Sequence, residues 1–390
     1  MNSGAILYSD GGYQMVQTDT SKKDKPKNKQ DSYYNLNAIL SKKAVYNVIF
    51  GERSNGKTYA VLKHAIEVYF ENGGQLALLR RWQEDIKGKR ASEIFSALIA
   101  NDEIYKISDG KFEGITYYSG RFYFCNYDDE GRAVYSDSDI FAYVFALSDT
   151  EHNKSFSYPN IKTILFDEFL TRGMYLKDEF VLFMNTLSTI IRQRKDVTIF
   201  MLGNTVNKYS PYFNEMGLKH IHKQDQGTID LYTYGDSNLK VAVEYAQSTS
   251  KNKKNNFYFA FDNPKLNMIT DGAWELDIYP HLPVKYKAKD ILLTYFIKFD
   301  GFIYQCEIIE VDNEMFTFIH DKTTPIKDED EDIIYSLEFS HKFNYQRSIH
   351  KPVNKLGKNI KYFFDTDKVF YQDNDVGDSV NNYLNVSKQL

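Results

Sequence analysis

Residues Ala44–Tyr69 read AVYNVIFGERSNGKTYAVLKHAIEVY. An apolar, β-prone run containing Val45, Val48, Ile49 and Phe50 stops at Gly51. Gly51, Glu52, Arg53, Ser54, Asn55, Gly56, Lys57 and Thr58 then fit the pattern G-x-x-x-x-G-K-[ST]. After them Val61, Leu62, Ala65, Ile66 and Tyr69 recur at helical spacing, and Gly73-Gly74 ends the run. The spacing predicts strand, glycine loop, helix. Such a layout wraps backbone N–H groups around a polyphosphate and turns a helix N-terminus toward its charge. Lys57 then reaches the β- and γ-phosphates, and the Thr58 hydroxyl holds Mg²⁺. A glycine turn between any strand and helix is the plainer alternative, but it does not require both flanks.

A second stretch, Ile161–Phe169 (IKTILFDEF), is an apolar strand ending in adjacent carboxylates. Downstream of a phosphate loop, Asp167 belongs to the Mg²⁺ shell and Glu168 polarises the attacking water. Alone, the same pattern is a strand running into a solvated loop. The built-in glutamate places the chain in the catalytic-glutamate branch of P-loop enzymes. A helix is expected over Asp178–Lys195, with Val181, Met184, Leu187, Ile190 and Ile191 on its apolar face. It ends in Arg192-Gln193-Arg194-Lys195, cations that complement the helix C-terminus or act on a phosphate. Val197–Leu202 reads as the next strand, and Asn204 follows at its carboxyl end, where ligands of open α/β sheets sit. Gln75–Trp82 reads as a buried strand ending in Arg80-Arg81, ahead of a loop with Lys87, Lys89 and Arg90. Tyr33–Leu40 is expected beside the nucleotide base.

The 390 residues allow two domains and a connector. A net charge of −5 argues against a basic coat, so nucleic-acid contact must come from local strips. The two cysteines, Cys125 and Cys306, match no metal or disulfide spacing, and no apolar run approaches a membrane span. Residues 1–32 are polar, with Lys22, Lys23, Lys25, Lys27 and Lys29 around Pro26, and read as a flexible basic arm. Helical periodicity fades near residue 210. The expected division is therefore a P-loop domain over 33–215, a connector over 216–284 with a linker at Ser248–Asn256, and a small domain over 285–390. In the last, Ile291–Lys298, Phe302–Val311 and Met315–His320 read as a three-strand meander with turns at Asp300-Gly301 and Asp312-Asn313. Ser340–Tyr362 interleaves Lys342, Arg347, Lys351, Lys355, Lys358 and Lys361 with Phe343 and Tyr345, without a carboxylate. That mixture suits a nucleic-acid backbone or a plain solvated face.

The order of these parts, together with RQRKDVTIFMLGNTVNKYSPYF and FIKFDGFIYQCEI, resembles the genome-packaging ATPases of tailed phages. Within that large-terminase superfamily it is most similar to the DNA-encapsidation proteins of phi-twenty-nine-type podoviruses. The resemblance implies an α/β fold: a RecA-like, catalytic-glutamate ATPase, a connector, and a small α+β RNase H-like domain. It implies ATP and Mg²⁺ as ligands and double-stranded DNA as the cargo. It also implies a homo-oligomeric ring, expected as a pentamer, docked on the portal of a prohead in the host cytoplasm, with either a structural RNA or a portal loop as the docking partner. Lys57 and Thr58 match the phosphate-loop pair, Asp167 the magnesium carboxylate, Glu168 the base and Asn204 the coupling position. Arg192 or Arg194 would be the finger supplied in trans, and Lys87, Lys89 and Arg90 the loop facing DNA. Ordinary large terminases cut DNA with a C-terminal carboxylate cluster. Here the candidates are Asp300, Glu307, Asp365, Asp367, Asp373 and Asp375, several of them in turn-like positions, so a nuclease fold without its chemistry is expected. Two alternatives stand beside this reading: a terminase that cuts as well as pumps, and a P-loop switch or scaffold.

Overall fold

The computed structural model describes residues 4–9, 12–19, 34–53, 55–149, 157–171, 175–204, 209–247, 279–388 and 390. The chain divides into two units, Met1–Trp274 and Glu275–Leu390.

The first unit is built on one 12-stranded sheet. In chain order its strands are β1 (Gly4–Ser9), β2 (Gly12–Asp19), β3 (Tyr46–Gly51), β4 (Gln75–Arg80), β5 (Gly114–Tyr118), β6 (Arg121–Tyr127), β7 (Ala133–Val134) and β8 (Ile140–Ala146). Then come β9 (Ile161–Asp167), β10 (Thr198–Asn204), β11 (Ile229–Tyr234) and β12 (Leu239–Ala246). The order across the sheet is β1-β2-β11-β12-β3-β10-β9-β4-β8-β6-β5, with β7 beside β6. The stretch from β12 through β3, β10, β9 and β4 to β8 is parallel. Antiparallel strands extend both edges.

Parallel strands buried on both faces read as continuous apolar runs, and successive residues feed opposite cores. Val48, Phe50, Ile164, Phe166, Ile199 and Met201 enter one cluster. Ile49, Leu165, Phe200 and Leu202 enter the other. Helix α1 (Lys57–Asn72) covers the second face with Val61, Leu62, Ala65 and Ile66. Helix α2 (Glu179–Ile191) and the short α3 (Pro211–Glu215) cover the first, through Phe183, Leu187, Ile190, Tyr212 and Phe213. The apolar stripe expected on α2 is shifted: Val181 and Met184 are 56% and 39% exposed, while Phe183 takes the core position.

Both expected limits of this unit move outward. Part of the expected flexible arm, residues 4–9 and 12–19, forms the antiparallel pair β1–β2, and β2 pairs antiparallel with β11. The lysine-rich segment after it lies outside the described residues. Part of the expected connector, 216–284, supplies β11 and β12, and β12 pairs in parallel with β3 from Val241↔Tyr46 to Ala246↔Gly51. The change of periodicity near residue 210 marks a switch from helix-joined to hairpin-joined strands rather than a new domain. The linker candidate Ser248–Asn256 lies outside the described residues.

The second unit is a 6-stranded sheet with two helices, α4 (Lys355–Asp365) and α5 (Asn374–Ser387). Strands β13 (Ile291–Phe299), β14 (Phe302–Val311) and β15 (Glu314–Asp321) form the antiparallel meander. Strands β16 (Ile334–Ser336), β17 (Tyr345–Gln346) and β18 (Val369–Tyr371) complete the order β17-β16-β13-β14-β15-β18. The hairpin turns fall at Asp300-Gly301 (φ 52° and 79°) and Asp312-Asn313 (φ 53° and 66°), the left-handed pairs that two-residue turns demand. Tyr295, Ile297, Cys306, Ile309, Ile319, Tyr335 and Tyr383 are fully buried in this unit. It is an α+β unit of the kind the resemblance implies.

Candidate nucleotide site

The β3 strand ends at Gly51, where φ is 149° and an added Cβ would stand 2.5 Å from the Ala246 carbonyl oxygen of β12. Only glycine lets β12 lie against the start of the loop. The loop closes at Gly56, left-handed with φ 88°, which caps α1. Lys57 is buried; its ammonium donates to the Glu52 carbonyl at 2.6 Å, to Asn55 Oδ1 at 3.2 Å and to Asn204 Oδ1 at 3.5 Å. Burial pushes Lys57 down to about 8, against the pull of the Asp167 and Glu52 charges. An anionic polyphosphate in the loop would restore the charge that burial disfavours. Asn204 reaches Lys57 because β10 pairs in parallel with β3, setting Asn204 opposite Gly51.

Asp167 ends β9 one strand further along, opposite Leu202. Thr58 Oγ1 donates to its carboxylate, 3.2 and 3.3 Å from the two oxygens. Two oxygen ligands at right angles on one Mg²⁺ stand about 3 Å apart, so a hard-oxygen pair of this spacing fits that ion. Burial raises the Asp167 carboxyl above its ordinary range; Arg80 opposes the shift, Glu168 adds to it, and the Thr58 hydroxyl opposes it. Glu168 turns out of the strand at φ 61°, its side chain 63% exposed at the rim. Asn55, Gly56, Lys57, Thr58, Asp167, Glu168, Gly203 and Asn204 thus line one cavity of about 240 Å³. A second cavity, lined by Tyr34, Asn35, Asn37, Leu40 and Lys63 among others, shares Tyr59 with the first. Tyr34 is fixed there by its N–H on the Asn55 carbonyl at 2.9 Å and its hydroxyl on Glu244 at 2.5 Å.

Two arginines that carry no role in the sequence reading sit at the centre of this geometry. Arg80 ends β4, and the register Leu79↔Phe166 sets it beside Asp167. Its Nη2 lies 2.7 Å from Asp167 Oδ2 and its Nη1 2.7 Å from Glu168 Oε2, so one guanidinium spans both carboxylates. Arg81 is buried and forms a two-bond pair with Glu179, at 2.8 and 2.9 Å. Losing one partner of such a buried pair costs about 3–5 kcal/mol. The readable signal was two arginines closing an apolar strand, because strand carboxyl ends face the ligand in this fold class.

The two finger candidates part company. Arg194 donates to the backbone carbonyls of Tyr158, Pro159, Ile161, Ile190 and Ile191, at 2.6–3.2 Å. It ties the end of α2 to the start of β9. Arg192, left-handed at φ 44° and exposed, is the C-cap of α2. Lys87, Lys89 and Arg90 are exposed on the loop and short helix after β4, with Arg90 3.2 Å from Asp85. Of the phosphate-loop residues, Gly51, Glu52 and Arg53 are not among those lining the cavity, and Ser54 lies outside the described residues.

In the second unit Lys351, Lys355 and Lys358 are exposed, the latter two on the first turn of α4. The strip is less one-sided than its sequence: Lys342 lies 2.7 Å from Asp330, and Lys361 pairs with Asp365. Among the described residues no group of three or more His, Cys, Asp or Glu side chains is placed to hold a metal. Nor, among them, is any helix long and apolar enough to cross a membrane.

The podovirus DNA encapsidation protein (Gp16) family model matches residues 28–258, which takes in the glycine loop, Asp167, Glu168 and β12. The DNA packaging protein of Bacillus phage PZA is 25% identical over 275 residues, 69% of this chain and 74% of the relative. That of Bacillus phage phi29 is 28% identical over 184 residues, 46% of this chain and 49% of the relative. Two solved assemblies share the fold over nearly the whole chain. The Phi-28 gp11 DNA packaging motor covers 92% of this chain and 97% of its own, at a TM-score of 0.52 and 18% identity. The bacteriophage Phi-29 viral genome packaging motor assembly covers 90% and 97%, at 0.53 and 18%. The fold is therefore a RecA-like P-loop unit followed by a smaller α+β unit. Because the family match spans more than half the chain and both halves of the nucleotide site, this protein belongs to the podovirus DNA encapsidation (Gp16) family.

Proposed function

We propose that the chain is the ATP-hydrolysing subunit of a motor that drives double-stranded viral DNA into a preformed capsid. The observation that carries this is the meeting of Lys57, Thr58, Asp167, Glu168 and Asn204 around one cavity, in a chain whose relatives are DNA packaging proteins. The loop N–H groups and Lys57 bind the β- and γ-phosphates, and the base of the nucleotide lies toward Tyr34 and Tyr59. Thr58 and Asp167 would hold Mg²⁺, which offsets charge on the phosphates. Glu168 accepts the proton of the attacking water, which is why its place at the open rim matters. Asn204, the last residue of β10 and within reach of Lys57, senses the γ-phosphate. Arg192 completes the site of a neighbouring copy in a ring, since Arg194 is committed to its own backbone. Lys87, Lys89 and Arg90 face DNA, and Lys351, Lys355 and Lys358 contact a nucleic-acid backbone at the prohead vertex, duplex DNA or structural RNA.

Cutting of DNA is not part of this proposal, because the second unit's acids have local structural partners. Glu307 accepts from Tyr286 and Gln305, both at 2.6 Å, and Asp373 caps α5 through the Val376 N–H at 2.9 Å. The test is phosphate release by prohead-docked protein with and without DNA, beside the Glu168→Gln variant. DNA-stimulated turnover that the variant loses by about 10²–10⁴-fold, with MgATP still bound, is expected. Near-normal turnover by Glu168→Gln would remove the base from the mechanism.

A further inference from the structure

The Arg81 network has a geometry that packing alone does not require. Its guanidinium lies against two carbonyls of the turn that carries the proposed base: Nη1 donates to the Glu168 oxygen at 3.3 Å, and Nη2 to the Phe169 oxygen at 2.7 Å. The same group pairs with Glu179, the first residue of α2, whose carboxylate is fully buried. Glu179 in turn accepts from the Leu176 N–H and from the Tyr212 hydroxyl of α3, both at 2.7 Å. Arg81 also stacks over the Tyr175 ring, 5.0 Å from its centre. One buried cluster thus joins the turn after β9, the start of the helix that ends at Arg192, and the helix that follows β10 and Asn204.

Resting on the ATPase reading above, we infer that Arg81, Glu179 and Tyr212 are positioning residues that hold the Glu168 turn at its working orientation. They also tie that turn to the helix bearing Arg192. The backbone at Glu168 is left-handed, a conformation that a side-chain-bearing residue keeps only when its surroundings impose it. Arg81 imposes it by gripping both carbonyls that follow. A planar fork with several donors in fixed directions can hold two carbonyls and a carboxylate at once, which a lysine ammonium cannot. None of the three side chains is among those lining the phosphate cavity, so they act on turnover without adding to nucleotide affinity. A shift of under an ångström in a base is enough to cost rate, because proton transfer needs hydrogen-bond distance.

The full-length protein, docked on proheads, is compared with Glu179→Gln, Arg81→Lys and Tyr212→Phe in steady-state ATP hydrolysis, and each is titrated with MgADP. Glu179→Gln and Arg81→Lys should lower kcat about tenfold or more and Tyr212→Phe about threefold, with KM and MgADP affinity within about twofold. Tyr212→Phe removes one hydroxyl from a closed aromatic cluster, so it keeps the test alive if the charged variants do not fold. In a Glu168→Gln background, single-turnover measurement should show no further loss from Tyr212→Phe or Glu179→Gln, because residues acting through one base are not additive. A merely structural role would lower activity by the same factor in both backgrounds. That result, or kcat within twofold of wild type for Tyr212→Phe and Arg81→Lys, overturns the inference while leaving the ATPase reading intact. If Glu168→Gln itself turns over normally, the base assignment falls and takes this inference with it.

Discussion

The two units treat carboxylates in opposite ways. In the first, Asp167 and Glu168 follow one another out of a parallel strand and are drawn together by a single arginine, Arg80, over a cavity. In the second, Asp300 sits in a hairpin turn, Asp367 in a left-handed position before β18, Asp373 at a helix cap, and Asp365 beside Lys361 one turn back on α4. Glu307 is held below the usual range: burial works against its charge, but His320, Tyr286 and Gln305 outweigh it. The two acids proposed to act together are gathered at the carboxyl edge of the sheet. Acids that terminate turns and helices are spread along it. Composition alone does not separate the cases; the direction and neighbour of the strand do.

The comparison breaks most severely at Asp167. Asp167→Asn and Lys57→Ala should each abolish ATP hydrolysis, whereas Asp365→Asn should leave it within about twofold, as surface substitutions usually do. Phosphate release measured on all three decides whether the acids differ as described. The next largest effect separates the arginines. Arg192→Ala should lose about 10³-fold in turnover and regain part of it when mixed with the Glu168→Gln protein, each supplying what the other lacks. Arg194→Ala should instead lower the melting temperature, since several backbone carbonyls lose their donor, and mixing should not restore it. Equal rescue of both would undo the distinction drawn from the backbone bonds of Arg194. A smaller effect concerns the second unit's lysines. Replacing Lys351, Lys355 and Lys358 together should reduce the salt-dependence slope of duplex binding by about three. An unchanged slope would return those residues to a plain solvated face.

The phosphate loop was legible in the chain because its parts are contiguous: strand, glycine loop and helix succeed one another within Ala44–Tyr69. The meander of the second unit was legible for the same reason, its turns marked by Asp-Gly and Asp-Asn. What escaped depends on pairings between distant segments. Arg80 gains its partners only because β4 lies beside β9, and Arg81 only because α2 begins with Glu179 over the same turn. The limits of the first unit escaped likewise, since β12 reaches β3 from the far end of the domain and β2 reaches β11 from the other. On α2 the expected stripe holds at Leu187 and Ile190, but in the first half of the helix Phe183, not Met184, faces the sheet.

The smallest effect tests the turn acids directly, at Asp300. Burial raises its carboxyl to about 6, against an ordinary value of 3.8. The sign follows from proton binding. Below about pH 4 the folded and unfolded chains both carry the proton, and Asp300 makes no difference. Between about pH 4 and 6 the folded chain keeps a proton that the unfolded chain has lost, so stability falls as pH rises. Above that range both are ionised and the cost stays constant. Asn avoids the charge and is at ease with the left-handed φ of 52°. Asp300→Asn should therefore stabilise the protein by about 1 kcal/mol at pH 7, discounting a full conversion of the shift for partial solvent access, with little gain at pH 4. Thermal melts at pH 4, 5, 6 and 7 check the profile, and a Mn²⁺ plasmid-nicking assay accompanies them. A turn acid gives the higher melting temperature and no change in nicking. A metal-holding acid gives nicking in the wild type that Asp300→Asn abolishes, and that outcome would place Asp300 with Asp167 on the working side of the comparison.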